Sequence, residues 1–190
     1  IDGGHDGDWI EGGSGADSLA GGSGASADTL IGGDHSDTLD GGAGDDSIVG
    51  GDDADEITAG AGADVVDGGA GSDTVYGSSG ANSIDGGGGS DSLIGGSSAE
   101  TIDGGSDEDW IEGGVGADSL IGGSGGYADT LIGGDHSDTL DGGDGADSIV
   151  GGGDDDVITA GAGADVVDGG AGADTVYGSS GANSIDGGGG

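Results

Sequence analysis

The sequence predicts an all-β fold: a parallel β-roll, or β-solenoid, with about 18 residues per coil and two short-stranded parallel sheets. Two features of the chain carry this prediction. The pattern G-G-x-G-x-D-x-U-x, in which U is a large aliphatic residue, fills twenty consecutive units from Gly3 onward. The aliphatic eighth position is occupied in every one of them. A unit this short cannot bury a core alone, so the units must stack on one another.

Each unit is predicted to consist of a turn followed by a very short strand. The G-G-x-G-x stretch is assigned to the turn, because Gly adopts positive φ without steric cost. Positions seven and nine are mostly polar or β-branched around the aliphatic residue. This alternation predicts about three residues of strand with one side chain buried. Two turns and two strands close a coil, and coils stack about 4.8 Å apart.

A larger repeat is superimposed on the short one. Residues 1–89 match residues 102–190 at 77 of 89 positions. We therefore expect one continuous domain over 1–190, built of two near-identical copies, 1–101 and 102–190, and we interpret it as a segment of a longer repeat protein. Eleven units make five and a half coils, so Trp9 and Trp110 are expected on opposite sheets. The two longer units, 21–31 and 122–132, should only enlarge a turn.

The charge of the chain restricts its partners. It has 40 acidic residues and no Lys or Arg, which gives a net charge of −40. Such a chain repels nucleic-acid phosphates, and no internal salt bridge can offset its own repulsion. No apolar run approaches the roughly 18 residues that a membrane span needs. The absence of Cys excludes thiolate metal sites. Divalent cations are the expected partners.

The sixth position is predicted to bind those cations. Stacked coils would place its side chains in two columns, and like charges about 4.8 Å apart repel unless a cation lies between them. Carboxylate and carbonyl oxygens suit Ca²⁺ better than Mg²⁺, and one ion between successive turns gives roughly 18 ions. The predicted ligands are the aspartates at this position in 17 of 20 units: Asp8, Asp17, Asp28, Asp37, Asp46, Asp55, Asp64, Asp73, Asp91, Asp109, Asp118, Asp129, Asp138, Asp147, Asp156, Asp165 and Asp174.

A few units depart from the pattern. The sixth position is Asn82 and Asn183 in one unit of each copy, and Glu100 in another. The first position is Ala59 and Ala160 in place of Gly. We expect the Asn units to bind a cation weakly or not at all.

The G-G-x-G-x-D-x-U-x pattern resembles that of the RTX family, the calcium-binding parallel β-rolls of secreted bacterial proteins. The resemblance covers essentially the whole chain. It implies a right-handed roll with Ca²⁺ between successive loops, held by loop carbonyls and by the seventeen aspartates given above. It also implies type I secretion, folding outside the cell on meeting calcium, and an extracellular or cell-surface location.

The functional expectation is a non-enzymatic one. His5, His35 and His136 fall in turn positions with no Cys, Lys or activating base beside them, so we predict no catalytic residue and no organic cofactor site. Near-identical copies extend a rod, which favours a calcium-stabilised extracellular structural domain of a filament, surface layer or adhesin stalk that self-associates into a polymer. An alternative is a secretion and folding module of a larger enzyme or toxin. An ice-binding solenoid is a further alternative, although the seventh positions lack a regular Thr array.

Overall fold

The structure is a computed structural model that describes residues 1–190. It consists of 21 β-strands joined by turns, without a helix. No helix of the length and apolarity needed to cross a membrane is therefore present. Alternate strands belong to two different sheets, and every strand pairing is parallel.

The eleven odd-numbered strands form one sheet, called here the odd sheet, in chain order. These strands are β1 (Asp2–Gly4), β3 (Ser18–Gly22), β5 (Thr38–Ala43), β7 (Glu56–Ala61), β9 (Thr74–Ser79), β11 (Ser92–Gly96), β13 (Trp110–Val115), β15 (Thr130–Asp135), β17 (Ser148–Gly153), β19 (Val166–Ala171) and β21 (Ser184–Asp186).

The ten even-numbered strands form the second sheet, called here the even sheet. These strands are β2 (Trp9–Ser14), β4 (Thr29–Asp34), β6 (Ser47–Asp52), β8 (Val65–Ala70), β10 (Ser83–Gly88), β12 (Thr101–Ser106), β14 (Ser119–Ser124), β16 (Thr139–Asp141), β18 (Val157–Thr159) and β20 (Thr175–Tyr177).

The strand register gives the size of one coil. Leu39 pairs with Ile57, which occupies the same position two repeat units later. Ile10 pairs with Leu30, which lies further along the chain than two standard units, because the coil between them contains the longer unit 21–31. The additional residues lie in the turn between β3 and β4, as expected. The predicted fold class, a parallel β-solenoid in which one coil takes two repeat units, is confirmed.

The strands are longer than the sequence pattern predicted. A typical strand such as β5 has six residues and includes Gly41, Gly42 and Ala43, which were assigned to a turn. These positions belong to the strand ladder because Gly42 pairs in register with Gly60, and Ala43 with Ala61, in the next coil. Gly42 nevertheless keeps the positive φ (93°) of a turn glycine. The assignment of G-G-x to the turn alone was wrong, and the unpaired turn comprises positions four to six.

The core is a single file of aliphatic side chains between the two sheets. Along a strand, positions eight and one face inward and positions seven and nine face outward. The buried core consists of the eighth-position residues from Ile10 to Val167 together with Ala59 and Ala160. Val176 packs partly against it.

The half-coil offset of the two copies is visible in the aromatic residues. Trp9 begins β2 in the even sheet, whereas Trp110 begins β13 in the odd sheet. Tyr76 lies in the odd sheet and Tyr177 in the even sheet. The prediction that equivalent residues exchange sheets is confirmed.

Candidate calcium site

The position-six residues form two columns, one at the beginning of the strands of each sheet. The first column precedes the even-sheet strands and consists of Asp8, Asp28, Asp46, Asp64, Asn82, Glu100, Asp118, Asp138, Asp156 and Asp174. The second column precedes the odd-sheet strands and consists of Asp17, Asp37, Asp55, Asp73, Asp91, Asp109, Asp129, Asp147, Asp165 and Asn183. The structure thus places all the aspartates predicted from sequence in the same two rows.

These side chains are buried at the edges of the core. Sixteen of them are no more than 4% exposed, and Asp8, Asp17, Asp174 and Asn183, in the end coils, are half-buried. Position six faces inward because it continues the inward alternation of positions eight and one. A buried, charged carboxylate is strongly destabilising unless a partner compensates it.

In all of these residues except Asp8, Asp17 and Glu100, one side-chain oxygen is held by the backbone. The Oδ1 atom accepts the N–H of the column neighbour in the preceding coil, as in the bond from Asp55 N to Asp73 Oδ1 at 2.8 Å. These bonds measure between 2.7 and 3.1 Å. The ladder fixes the orientation of the carboxylate, so that the second oxygen has a defined direction.

The second oxygen, Oδ2, has no partner. In 14 of the 17 aspartates it is buried and accepts no hydrogen bond. It faces the position-one glycine of its own unit: a Cβ atom on Gly133 would lie 2.4 Å from Asp138 Oδ2 and 2.5 Å from the carbonyl oxygen of Gly151. Glycine at position one therefore leaves open a space that a carboxylate oxygen and a carbonyl oxygen both face.

The turn carbonyls add further oxygens. Position four adopts positive φ in most units, including units where it is not Gly, as at His35 (φ 75°) and Asp53 (φ 70°). The Asp53 carbonyl points along the roll, because a Cβ atom on Gly71 in the next coil would lie 2.1 Å from its oxygen. Position-four carbonyls lie outside the strand ladder and accept none of the turn hydrogen bonds. Their lone pairs are free to bind a cation.

The pKa values of the column carboxylates also show that their negative charge lacks a compensating partner. Burial is the main cause that raises the pKa of Asp109 and Asp138 to about 7, and that of Asp55 and Asp91 to about 6. Repulsion from the column neighbours raises these pKa values further, and the hydrogen bond from the backbone N–H lowers them. Without a cation these four carboxyl groups retain protons close to neutral pH.

These oxygens fit Ca²⁺. Nowhere do three or more acidic or imidazole side chains converge, so carboxylates alone do not complete a coordination shell. Ca²⁺ takes 6–8 oxygen ligands in flexible geometry, and backbone carbonyls serve it well. Unpartnered Oδ2 atoms together with free turn carbonyls are the kind of donor set that this ion prefers.

The comparison with protein families agrees with this chemistry. The family model described as RTX calcium-binding nonapeptide repeat (4 copies) matches residues 2–25, 24–48, 40–75, 67–99, 94–127, 124–149, 141–176 and 159–190. The chain belongs to the RTX family. It is a calcium-binding β-roll domain, and repeats of this RTX type are typical of secreted proteins. No curated protein sequence matches the chain.

The histidines and the outward aspartates lie outside the two columns of position-six residues. His5 Nδ1 lies 3.2 Å from Ser23 Oγ at the surface, with no third group to form a triad. The outward aspartates Asp67, Asp85 and Asp103 face each other across neighbouring even-sheet strands. Burial, followed by the charge of Asp85, raises the pKa of Asp67 and of Asp103.

Sequence reasoning missed the contribution of position one. It treated the first glycine as a turn residue, whereas that glycine is extended, faces inward and borders the Oδ2 atom. The signal was present: Gly fills this position in every unit apart from the two that begin at Ala59 and Ala160. A requirement for open space explains this choice better than a turn does.

Proposed function

We propose that this RTX domain is a non-enzymatic structural segment of an extracellular polymer, such as a filament, a surface layer or an adhesin stalk. The observation that carries the proposal is the half-coil offset of the two copies. It gives the two broad faces of the roll the same outward side chains, displaced along the axis by one copy. A molecule with like surfaces on opposite sides can be contacted from both sides, and such contacts build open arrays.

The outward side chains offer a surface for these contacts. On the odd sheet, Tyr76, Ile94, Glu112, Ile132 and Val150 form a continuous column of position-nine residues across five strands. Four of these five side chains are apolar or aromatic.

Tryptophans extend this surface. Trp110 stands two residues before Glu112, on the same outward face of β13. The equivalent tryptophan on the other face, Trp9, is 70% exposed. Aromatic side chains of this kind are enriched at protein interfaces.

Calcium makes contact between such acidic rolls feasible. The column ions, about 15 to 18, would carry about +30 to +36 against the −40 of the chain. Most of the negative charge of the saturated roll is then neutralised. Surplus outward acids remain to bind bridging ions, such as Asp40, Asp67, Asp85, Asp103, Asp141, Asp168 and Asp186. Polymerisation should therefore require calcium beyond what folding requires.

The surface supports a non-catalytic role. The largest groove, of about 580 Å³, lies on the even sheet and is lined by acidic side chains, Ser, Gly and Ile121. The Ser106 hydroxyl in this groove donates to the Gly87 carbonyl oxygen and not to a carboxylate, and the lining includes no cationic side chain. This lining lacks the activated nucleophile and charge stabilisation that acyl or phosphoryl transfer would need.

Electron microscopy of calcium-refolded protein tests the proposal. We expect fibres or sheets in millimolar calcium, and fewer of them for the double variant Tyr76→Ser/Trp110→Ser, which removes the aromatic residues from the odd sheet. Ser83→Thr, an outward change on the even sheet, is the matched control. Dispersed monomers at high protein concentration would contradict a structural polymer and favour the secretion and folding module.

A further inference from the structure

The departures from the repeat pattern lie together in the folded roll. Ala59 lies in β7, in the unit of the first-column residue Asp64, and β7 pairs with β9, which contains the position-one glycine of the Asn82 unit. Asp64, Asn82 and Glu100 follow one another in the first column, since β8 pairs with β10 and β10 with β12. In the second column, Ala160 and Asn183 belong to successive coils, since β19 pairs with β21. The same change therefore occurs twice, once in each copy and on opposite edges.

The side-chain nitrogen of Asn82, a hydrogen-bond donor, lies where the aspartates have the acceptor Oδ2, beside the position-one glycine of the unit. Its Oδ1 accepts the N–H of Asp64 at 3.0 Å, which directs Nδ2 toward Gly77. A Cβ atom on Gly77 would lie 2.9 Å from this nitrogen and 2.4 Å from the carbonyl oxygen of Gly95. The nitrogen is buried and has no partner. An amide NH₂ group has donors only, so it cannot bind a cation.

Asn183 repeats this arrangement in the second column. Its Oδ1 accepts the N–H of Asp165 at 3.0 Å. Its Nδ2 donates to the carbonyl oxygen of Gly178, the position-one residue of the same unit. The amide thus bonds to a carbonyl of the kind that borders the cation space elsewhere.

Alanine closes that space in the preceding coil. Ala59 and Ala160 are both fully buried members of the hydrophobic core. Their methyl groups take the direction in which a glycine at this position leaves room beside Oδ2. Each Ala–Asn pair therefore combines, in two successive coils of one column, a methyl group in the first unit with the loss of the anionic oxygen in the second. Asp64 and Asp165, in the units of the two alanines, keep their own unpartnered Oδ2 atoms.

The opposite edge is unchanged at the same height. Asp55, Asp73 and Asp91 continue the second column past the first Ala–Asn pair, with backbone bonds of 2.8 Å at both steps. The Oδ2 atoms of all three are buried and unpartnered, as at other aspartate steps.

The first column resumes at Glu100. Both carboxylate oxygens of this residue are buried and free, and its N–H donates to Asp118 Oδ1 at 2.8 Å. The Asn82 N–H donates no hydrogen bond to the Glu100 side chain. The bonds on either side of it in the column are present: Asp64 N–H donates to Asn82 Oδ1, and Glu100 N–H donates to Asp118 Oδ1. The column is interrupted at this one step.

We infer that Ala59 with Asn82, and Ala160 with Asn183, are cation-free steps that divide the calcium columns into segments ending at different heights on the two edges. In the coil where one column lacks a cation, calcium binds in the other column. Every coil is therefore held by calcium on at least one edge of the roll. Each segment gains and loses its ions as a separate group, because no shared ion links it to the next.

The number of calcium ions per chain tests this inference. Asn is a member of three column-neighbour pairs: Asp64–Asn82, Asn82–Glu100 and Asp165–Asn183. The chain should therefore bind about 15 ions at saturation in place of about 18. The double variant Ala59→Gly/Asn82→Asp should bind about 17, and Asp73→Asn, which makes a new interruption on the other edge, about 13.

Equilibrium dialysis with elemental analysis measures this ratio on dilute, monomeric protein, where the bridging ions that polymerisation would add are absent. The comparison between variants is therefore independent of the proposed polymer. About 18 ions on the wild-type chain, with no gain in the double variant, would overturn the inference. Should the double variant not fold, hydrogen exchange of the wild-type chain decides. In limiting calcium, the Asp64 amide, which donates to Asn82 Oδ1, should exchange faster than the Asp73 amide, which donates to Asp91 Oδ1. Equal protection of these two amides would contradict a cation-free step.

Discussion

At the scale of single residues, the two oxygens of each position-six carboxylate have different environments. Oδ1 completes a ladder of backbone hydrogen bonds, whereas Oδ2 is left without a partner in most units. The first is a structural bond that an amide can also make, as Asn82 does. The second requires an anionic oxygen and a cation. This division explains why Asn preserves the roll while changing what it binds.

The raised pKa values of these carboxylates predict an unusual pH dependence for the calcium-free chain. The unfolded pKa of Asp is about 3.9, and the folded roll raises it to about 6 at Asp55 and about 7 at Asp109. The folded state therefore binds more protons, so its stability is full below the unfolded pKa and is lost as pH rises through the folded values.

Far-UV circular dichroism in calcium-free buffer, from about pH 8 down to about pH 4, checks this. We expect the β-sheet signal to grow on acidification, with most of the change near the raised pKa values. With subsaturating calcium the dependence should reverse, because protons compete with Ca²⁺ for the same oxygens. A calcium-free β-sheet signal that stays constant, or weakens, on acidification would contradict the assignment of buried carboxyl groups with raised pKa values.

At the scale of elements, a typical six-residue strand such as β8 buries one large side chain and one glycine. In β8, Val66 is 1% exposed and its neighbour Val65 is 56% exposed. The two are the same residue type on the same strand and differ only in which face they occupy. They offer a matched test of the inward and outward alternation.

Val66→Ala should destabilise the calcium-bound roll by about 1.5–3 kcal/mol, because it removes buried methyl groups and leaves a cavity. Val65→Ala should change the free energy of unfolding by only about 0.5 kcal/mol, as expected for an outward site. Urea unfolding at saturating calcium measures both. Equal effects of the two substitutions would mean that the buried face of β8 has been assigned incorrectly.

The sequence predicted the elements better than their boundaries. The aliphatic eighth position and the long repeat were enough to predict the stacked coils, and they placed Trp9 and Trp110 on opposite sheets. The pairing of G-G-x in the strand ladder could not be read from local propensity. The positive φ of Gly42 and Gly60 is what glycine propensity predicts, and only the register with the next coil shows that these residues also pair as strand residues.

The candidate site was predicted in part for a similar reason. The period of the repeat places the aspartates in columns without knowledge of any side-chain direction. The ladder from N–H to Oδ1 and the free Oδ2 depend on the inward rotation of position six, which the pattern does not encode. The clustering of Ala59 with Asn82 emerges only when units one coil apart are recognised as neighbours.

At the scale of the whole molecule, the roll is long, narrow and uniformly acidic. Its core is one side chain wide, and its two columns of buried carboxylates run from end to end. No residue of the chain is a Lys or Arg, so compensation for these charges must come from solution. Binding free energy of the ions is then folding free energy, which couples the shape of the molecule to calcium.

The most direct test of this account is far-UV circular dichroism of the chain at about pH 7.5, first in excess chelator and then in millimolar calcium. We expect a disordered spectrum in chelator and a cooperative gain of β-sheet signal on addition of Ca²⁺, reversed when chelator is restored. Millimolar Mg²⁺ should give little of this change, because it requires near-ideal octahedral geometry and retains its water. A full sheet signal in chelator at this pH would contradict the claim that calcium holds the roll together.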